Sequence, residues 1–166
     1  MNIPTSGVVF IHSAPAALRP HVEWAISSVL GVPLRLDWLA QEAESATWRA
    51  EAVWHGAAGA ASRIVSTLRR FPQLRFEVTE DPTAATEGLR FSYTPDLGLY
   101  HAQTGPTGDL VVTENELRQA LRRAAGDPTR LVEELHDLLG ERWDEELEPF
   151  RLAGEAQPIR WLKQVV

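Results

Sequence analysis

His12 and Ser13 are the first residues of this chain whose types could carry chemistry. They follow one another directly after the apolar stretch Val8–Ile11. If a helix begins here, His12 could act as a base or help to bind an anion. A polar pair at the start of a helix also satisfies the first backbone N–H groups. We interpret the pair as a helix cap and keep a ligand-binding role as the alternative.

Tyr100 and His101 are the second candidate pair. They lie in a predicted β-hairpin around Pro95 and Asp96. Side chains alternate between the two faces of a strand, so Tyr100 and His101 should point to opposite faces and not form one site. We expect Tyr100 to be packed, and we keep both residues with His12 and Ser13 as candidate binding residues.

The sequence predicts no catalytic residue, no metal site and no cofactor. The chain has no cysteine, which excludes disulfides, thiolate ligands and thiol catalysis. Glu133 and His136 have the spacing found in di-iron helical bundles, but such sites need two copies of this motif. We therefore interpret that pair as part of a solvated helix face. Phosphate-binding glycine loops and nucleophile elbows are also missing.

An acidic segment near residue 145 is the main candidate for a protein interaction. The net charge of the chain is −7, and the acidic excess lies in residues 109–150. The segment could dock a basic partner, or it could be a solvated helix turn anchored by Trp143 and Leu147. An acidic chain also argues against nucleic-acid binding. The candidate residues are Trp143, Asp144, Glu145, Glu146 and Glu148.

The pattern of elements indicates an α+β fold with a ferredoxin-like βαββαβ core. Gly7–His12 does not alternate between apolar and polar residues, which is typical of a central strand covered on both faces. In such a core the strands have the order 4-1-3-2 in an antiparallel sheet. The other core elements are predicted to be a helix ending at Gly31, strands Leu34–Gln41 and Thr47–His55, helix Gly56–Phe71 and strand Leu74–Asp81.

Strand parity predicts that one face of this sheet is charged and partly covered. The first strand places apolar residues on both faces, so we expect the C-terminal half or a second subunit to lie over the charged face. Because the aromatic residues fall on the helix side, that face does not fit an RNA-binding platform. Its predicted charged residues are Arg35, Asp37, Arg49, Glu51, Arg75 and Glu77.

The second half is predicted to extend this core, so that residues 1–81 and 82–166 form one compact unit. It contains the hairpin Leu89–Gln103 and a short strand at Leu110–Val112. Thr113 and Glu116 form a capping box that opens a helix. Two leucine-rich helices then place Leu117, Leu121, Leu131, Leu135, Leu138 and Leu139 inward. The apolar tail Ile159–Val166 is expected to be docked.

Five segments of the chain resemble an actinobacterial family known as domain of unknown function 3145. They are MNIPTSGVVFIHSAPAAL, LRFEVTEDPT, SYTPDLGLYHA, WDEELEPFR and RWLKQVV. The resemblance covers essentially the whole chain. It implies no activity, cofactor or catalytic residue, but it carries an association with gene neighbourhoods for fatty-acid synthesis.

These observations favour a cytoplasmic, non-enzymatic interaction or regulatory module. The N-terminus lacks a signal-peptide pattern, and no apolar stretch is long enough to cross a membrane. We expect a protein partner and self-association through a sheet edge or face. The alternative is a small-molecule-binding protein or small enzyme with a pocket near His12 and Ser13, linked to lipid metabolism.

Overall fold

The computed structural model describes residues 2–154, so the predicted docking of Ile159–Val166 lies outside the described residues. The described part of the chain is a mixed α/β structure with one seven-stranded antiparallel sheet and five α-helices. The strand order in the sheet is β2-β3-β1-β4-β5-β6-β7. The strands are β1 (Pro4–Pro15), β2 (Leu39–Ala40), β3 (Thr47–Ala57), β4 (Arg75–Glu80), β5 (Gly88–Thr94), β6 (Gly98–Thr104) and β7 (Leu110–Val111).

The helices fall into two groups. One pair packs on one face of the sheet, and three helices follow the last strand. Gly31, at the end of the first helix, adopts a left-handed conformation (φ 72°), as its predicted role as a C-cap requires. The helices are α1 (Arg19–Leu30), α2 (Ala60–Leu68), α3 (Glu114–Ala124), α4 (Pro128–Leu138) and α5 (Glu141–Leu152), with a 3-10 turn at Ala16–Leu18.

β1 lies in the middle of the sheet, as its unbroken apolar composition predicts. It pairs with β3 on one side and β4 on the other, antiparallel in both cases. Val9 and Ile11 are completely buried in the core beneath α1 and α2. The first four strands have the predicted order 4-1-3-2. The sheet then continues through β5, β6 and β7, so it is larger than a ferredoxin-like core.

The predicted strand Leu34–Gln41 is mostly wrong, because only Leu39–Ala40 pairs with β3. The residues that precede β2 bind a side chain of α1 instead. The Glu23 carboxylate accepts the Leu36 N–H at 3.0 Å and the Trp38 indole N–H at 3.1 Å. The alternating pattern therefore reflects a segment packed on α1. A backbone N–H that already has an acceptor on α1 is not available for pairing with a neighbouring strand.

α5 lies across the second face of the sheet, which confirms the prediction that this face is partly covered by the C-terminal half. Glu77 was predicted to lie on a charged outer surface, but α5 buries it, and its residual exposure is 1 %. Val53 on β3 remains 59 % exposed on the open part of the face. The cover therefore extends over β1, β4 and β5 and leaves part of β3 uncovered.

α3 and α4 form a helical hairpin that packs mainly within itself. The capping box is confirmed, because the Thr113 hydroxyl accepts the Glu116 N–H and the Glu116 carboxylate accepts the Thr113 N–H. The inward placement predicted for the leucines is wrong for several of them, since α4 has no buried residue at all. Ala120 and Ala124 fill the contact between the two helices, and the larger side chains lie at its flank.

Candidate functional site

His12 and Ser13 occupy a β-bulge, where β1 has one residue more than β4. The register shifts between Ile11 and Ser13, so His12 is the extra residue, and both side chains reach groups on the second face of the sheet. Ser13 accepts a hydrogen bond from Arg75 at 3.4 Å. The interpretation of the pair as a helix cap is wrong, because β1 continues to Pro15 and α1 has no side-chain cap.

Glu77 is the centre of a buried polar cluster between the sheet and α5. Its carboxylate accepts the His12 Nε2–H at 2.7 Å and the Ser92 hydroxyl at 3.1 Å. Arg151, on α5, donates to Oε2 at 3.2 Å and to Oε1 at 2.6 Å. Every oxygen of this carboxylate therefore has donors, as an ionised group without solvent requires.

The protonation states follow from these contacts. Burial alone would raise the pKa of Glu77, but the hydrogen bond from His12 and the charges of Arg151 and Arg90 outweigh it and hold the pKa well below its usual range. Burial lowers the pKa of His12, and this effect exceeds the opposing influence of Glu77. At neutral pH, His12 is thus a neutral donor to an ionised Glu77. Burial also acts to lower the pKa of Arg151, but Glu77 and Asp144 raise it overall.

A second layer of ion pairs continues the cluster towards α5. Arg90 contacts Asp144 at 2.5 Å, and Arg151 contacts the same carboxylate at 3.0 Å. Gln41 connects β1 to α5 through uncharged hydrogen bonds. Its side-chain amide donates to the His12 carbonyl at 2.7 Å and to the Phe150 carbonyl at 3.4 Å. These contacts hold α5 on the sheet through charged and polar groups as well as apolar ones.

The acidic segment is only partly a surface. Trp143 is buried and donates its indole N–H to the Gly98 carbonyl at 3.0 Å. Asp144 belongs to the cluster, and Glu146 accepts the Thr94 hydroxyl at 2.9 Å and lies 3.7 Å from Arg75. Glu148 is exposed but lies 3.7 Å from Arg151, and Glu145 is exposed. Basic side chains of the same chain therefore pair with three of the four acids of the predicted docking segment.

Tyr100 and His101 lie on opposite faces of β6, as their alternation predicts. The Tyr100 hydroxyl donates to the Leu138 carbonyl at 2.7 Å, and its ring packs at 5.3 Å from that of Trp143. Burial raises the pKa of Tyr100 to about 12. The His101 ring stacks on Phe91 at 4.8 Å. Neither residue forms a hydrogen bond or a ring contact with His12, and Tyr100 connects β6 to the end of α4.

The cluster resembles a base held by a carboxylate, but its surroundings are those of a packed core. His12 is 0 % exposed, and its Nδ1 has no partner among the described residues. A cleft of about 370 Å³ lies elsewhere, near Gly59 and Glu80. There the Glu80 carboxylate accepts the N–H groups of Gly59 and Ala61, so it caps α2. Within residues 2–154 no group of three potential metal ligands occurs.

Three members of the cluster were not predicted from the sequence, namely Arg90, Ser92 and Arg151. The one signal was the first strand, whose apolar residues on both faces required a cover on the second face. No sequence rule indicated that Arg151 would belong to that cover. The bulge at His12 could not be found either, because the apolar pattern before it has no break.

The second candidate site is the apolar side of the α3–α4 hairpin. Arg123 and Glu134 form an ion pair at 3.5 Å across one side of the hairpin. At 3.6 residues per turn, Leu121 and Leu135 lie on the opposite side of the contact between the helices. Five large apolar residues share that side and are 37–58 % exposed: Leu117, Leu121, Val132, Leu135 and Leu139. We call them the leucine face.

Residues 8–164 match the family described as protein of unknown function (DUF3145). The chain belongs to this family. The match covers both candidate sites, so the buried cluster and the leucine face are features of a DUF3145 protein.

No curated protein and no solved structure matches this DUF3145 chain. Among residues 2–154 no helix has both the length and the apolar character needed to cross a membrane, and the longest have 12 residues.

Proposed function

We propose that this protein is a non-enzymatic interaction module that binds a helical partner on the leucine face. The observation that carries the proposal is that five large apolar side chains lie exposed on one side of one hairpin. A fully buried leucine contributes about 1.5–3 kcal/mol relative to an exposed one, so covering this face is favourable. Contiguous exposed apolar surface of this kind marks interaction sites in soluble proteins.

The sheet edges are the other place where a partner could bind. Both edge strands, β2 and β7, have only two residues, and very short edge strands offer few unpaired backbone groups. β2 pairs only with Trp48 and Arg49, however, so in the described part of the chain β3 has no strand beside it on that side from residue 50 onwards. The acidic segment supports the proposal less, because Asp144 and Glu146 already have partners within the chain. Glu145 remains exposed on α5, whereas Glu148 lies 3.7 Å from Arg151.

A photo-crosslinking experiment tests the proposal. The full chain carries benzoylphenylalanine in place of Leu121 or, as a matched control, in place of Gln119, which is exposed on the opposite side of α3. After illumination in extracts of the native host, adducts are separated by mass and identified. We expect discrete adducts from position 121 and none from position 119. No adduct from position 121, or the same adducts from both positions, would overturn the proposal.

A small enzyme or small-molecule binder is the second candidate. The observation in its favour is His12, which is held by Glu77 and has an unpartnered Nδ1. A ligand could reach that atom only if α5 moved away from the sheet. Mass spectrometry of small molecules retained from a cell extract tests this candidate, with His12→Gln as the comparison. A compound retained by the native protein and lost in the variant would favour it.

Three finer expectations complete the proposal. The strand order of β1–β4 supports a ferredoxin-like unit over residues 1–81, with residues 82–166 packed on it as part of one compact body. A cytoplasmic location remains a prediction, and the quoted segments support an actinobacterial origin. A link to lipid metabolism belongs to the small-molecule candidate alone.

A further inference from the structure

We infer that β3 pairs with β3 of a second copy of this chain, so that one antiparallel sheet runs through both copies. The contact is the outer edge of β3, which is a different surface from the leucine face, and the inference does not depend on the proposed function. A two-fold axis beside Val53 relates the two copies. In such strand addition, backbone hydrogen bonds supply the affinity and side-chain contacts set the register.

The outer edge of β3 is open from residue 50 onwards. In the described part of the chain β2 is its only neighbour on that side, and β2 pairs with Trp48 and Arg49 alone. The segment before β2 does not extend this pairing, because the N–H groups of Leu34 and Leu36 donate to side chains of α1. The rest of β3, up to Ala57, is therefore available to another strand.

The backbone of this stretch points hydrogen-bonding groups outwards. Val8 lies opposite Val53 in the β1–β3 pair, and its N–H donates to Thr79 on the other side at 3.0 Å. Val8 and Val53 are therefore a non-hydrogen-bonded pair, in which the backbone groups of the two residues point away from each other. Thr47 has the same parity as Val53, and its carbonyl accepts the Gln41 N–H on the outer side at 2.9 Å. The N–H and C=O groups of Val53, and of every second residue beside it, consequently face the open edge.

This edge lacks the features that usually prevent strand addition. Natural sheets protect exposed edges with lysine, with proline or with a bulge. Residues 50–57 read AEAVWHGA, without lysine or proline. Their pairing with β1 is regular, without a bulge. Val53, in the middle of the stretch, is 59 % exposed. An unprotected edge with an exposed valine at its centre predicts a partner strand.

The side chains indicate that this partner is a second copy. Glu51, Val53 and His55 are exposed and share the second face of the sheet. In an antiparallel pair centred on Val53, Glu51 of each copy lies opposite His55 of the other, and the two valines lie opposite each other. Such cross-strand pairs stabilise antiparallel strands. An imidazole can donate to a carboxylate, and a carboxylate accepts several hydrogen bonds, so the pairing is compatible with any contact of Glu51 in its own chain.

The same contacts determine the register. Centred on Val53, the valine pair and the two acid–base pairs each exchange two backbone hydrogen bonds. A centre one residue earlier brings Arg49, which already pairs with β2, against His55 of the other copy. A centre one residue later places Glu51 opposite Ala57. Both shifts lose the two acid–base pairs, so the charges select the register centred on Val53.

The shortness of the open stretch indicates a reversible dimer. One pair of edge strands makes a small interface, and small interfaces belong to transient complexes. We therefore expect a dissociation constant of roughly 0.1 mM. At that affinity the concentration of the protein regulates the association.

Sedimentation equilibrium of the full chain, from ~1 μM to ~1 mM, tests the inference over the expected range of affinity. The variants are Glu51→Arg, His55→Glu and an equimolar mixture of the two. Glu133→Arg is the matched control, because Glu133 is exposed on α4, and the end of α4 contacts β6 on the far side of the sheet. Circular dichroism checks that each variant is folded.

We expect the native chain and Glu133→Arg to dimerise with similar affinity. Each edge variant alone should dimerise about tenfold more weakly, because two copies of the same variant have no opposite charges across the edge. The mixture should recover the native affinity, since Glu51→Arg and His55→Glu complement each other at both acid–base pairs. A native chain that stays monomeric throughout, or a mixture no tighter than its components, would overturn the inference.

Amide hydrogen exchange, followed by NMR, locates the contact. At ~1 mM protein the N–H groups of Val53 and His55 should exchange about fivefold more slowly than at ~10 μM, because most chains are then paired. The N–H groups of Ala52 and Trp54 point to β1 and serve as the internal control, since their exchange should depend little on concentration. Slower exchange confined to α3 and α4 would show that the copies meet at the leucine face, and would overturn the inference.

Discussion

Arg151 donates hydrogen bonds to both carboxylate oxygens of Glu77, at 3.2 and 2.6 Å, although 74 positions separate the two residues in the sequence. Glu77 is in the middle of the sheet and Arg151 is near the end of α5, so this pair joins the first half of the chain to its last described helix. Both side chains are buried. The pair therefore fixes where α5 lies, and α5 in turn follows directly on the hairpin that carries the leucine face.

Replacing Arg151 by Met should destabilise the fold by about 3–5 kcal/mol, because it removes the cation that donates to both oxygens of the buried, ionised Glu77 and leaves only the longer contact from Arg90 at 3.5 Å. The double variant Arg151→Met/Glu77→Gln should regain much of this loss, since the remaining amide carries no charge. Arg142→Met is the control, because Arg142 pairs with Asp137 on an exposed surface, and we expect it to cost about 0–1 kcal/mol. Urea unfolding measures all three. Equal losses of stability in Arg151→Met and Arg142→Met would contradict the conclusion that Arg151 neutralises a buried Glu77 carboxylate.

The free energy of unfolding should decrease as the pH is lowered from 7 to 5, in part because of His12. Burial lowers the pKa of His12 below its ordinary value of 6.5. Just below that pH, His12 therefore binds a proton in the unfolded chain but not in the folded chain. The part of the stability that depends on neutral His12 is complete above pH 6.5. It is lost, at up to about 1.4 kcal/mol per pH unit, as the pH falls below that value. Glu77, whose pKa is also lowered, adds to the loss only below about pH 4.5.

Unfolding of His12→Gln across pH 5–7 tests this dependence. The variant should be less stable at pH 7 and show a shallower decline towards pH 5. His55→Gln provides the control, because His55 is exposed on β3, and its profile should follow that of the native chain. An unchanged slope in His12→Gln would show that His12 titrates alike in the folded and unfolded states.

Gly7→Ala should destabilise the protein by about 1–3 kcal/mol, because a Cβ at this position would overlap the Thr79 carbonyl oxygen on β4 and the Trp54 ring on β3. Neither the backbone of β4 nor a buried indole can move aside easily. Gly105→Ala is a suitable comparison, since its nearest neighbour, Val111, lies at an ordinary contact distance of 3.8 Å. Thermal unfolding should show a clear loss for position 7 and little change for position 105.

Tyr100→Phe should cost about 0.5–1.5 kcal/mol, because its hydroxyl donates a 2.7 Å hydrogen bond to the carbonyl of Leu138 at the end of α4. Tyr93→Phe is closely matched, since both rings are similarly buried. The Tyr93 hydroxyl reaches the Pro72 carbonyl only at 3.5 Å, so its loss should be smaller. Amide exchange should also show faster opening of α4 in Tyr100→Phe, and equal effects of the two substitutions would refute this role.

Local pattern was sufficient for many elements of the fold. The apolar run Val8–Ile11 could only be a covered central strand, and the Thr113 and Glu116 capping box specified the start of α3 because both contacts are local. The same reasoning failed for Leu34–Gln41. There, alternation is equally compatible with a strand and with a segment packed on a helix, and only the position of Glu23 beside it distinguishes the two.

The sequence by itself determined which strand is central, where the hairpin, α3 and α4 begin, and that the second face needed a cover, whereas it placed the start of α2 at Gly56 although β3 continues to Ala57. Only the tertiary structure decided that α5 provides the cover, that a bulge brings Ser13 to the same face as His12, and that several leucines of α3 and α4 remain outside. The physical reason is that periodicity specifies the apolar side of an element but not what packs on it. Partners such as Arg151 and Glu77, 74 residues apart, are defined by long-range packing that no local pattern encodes.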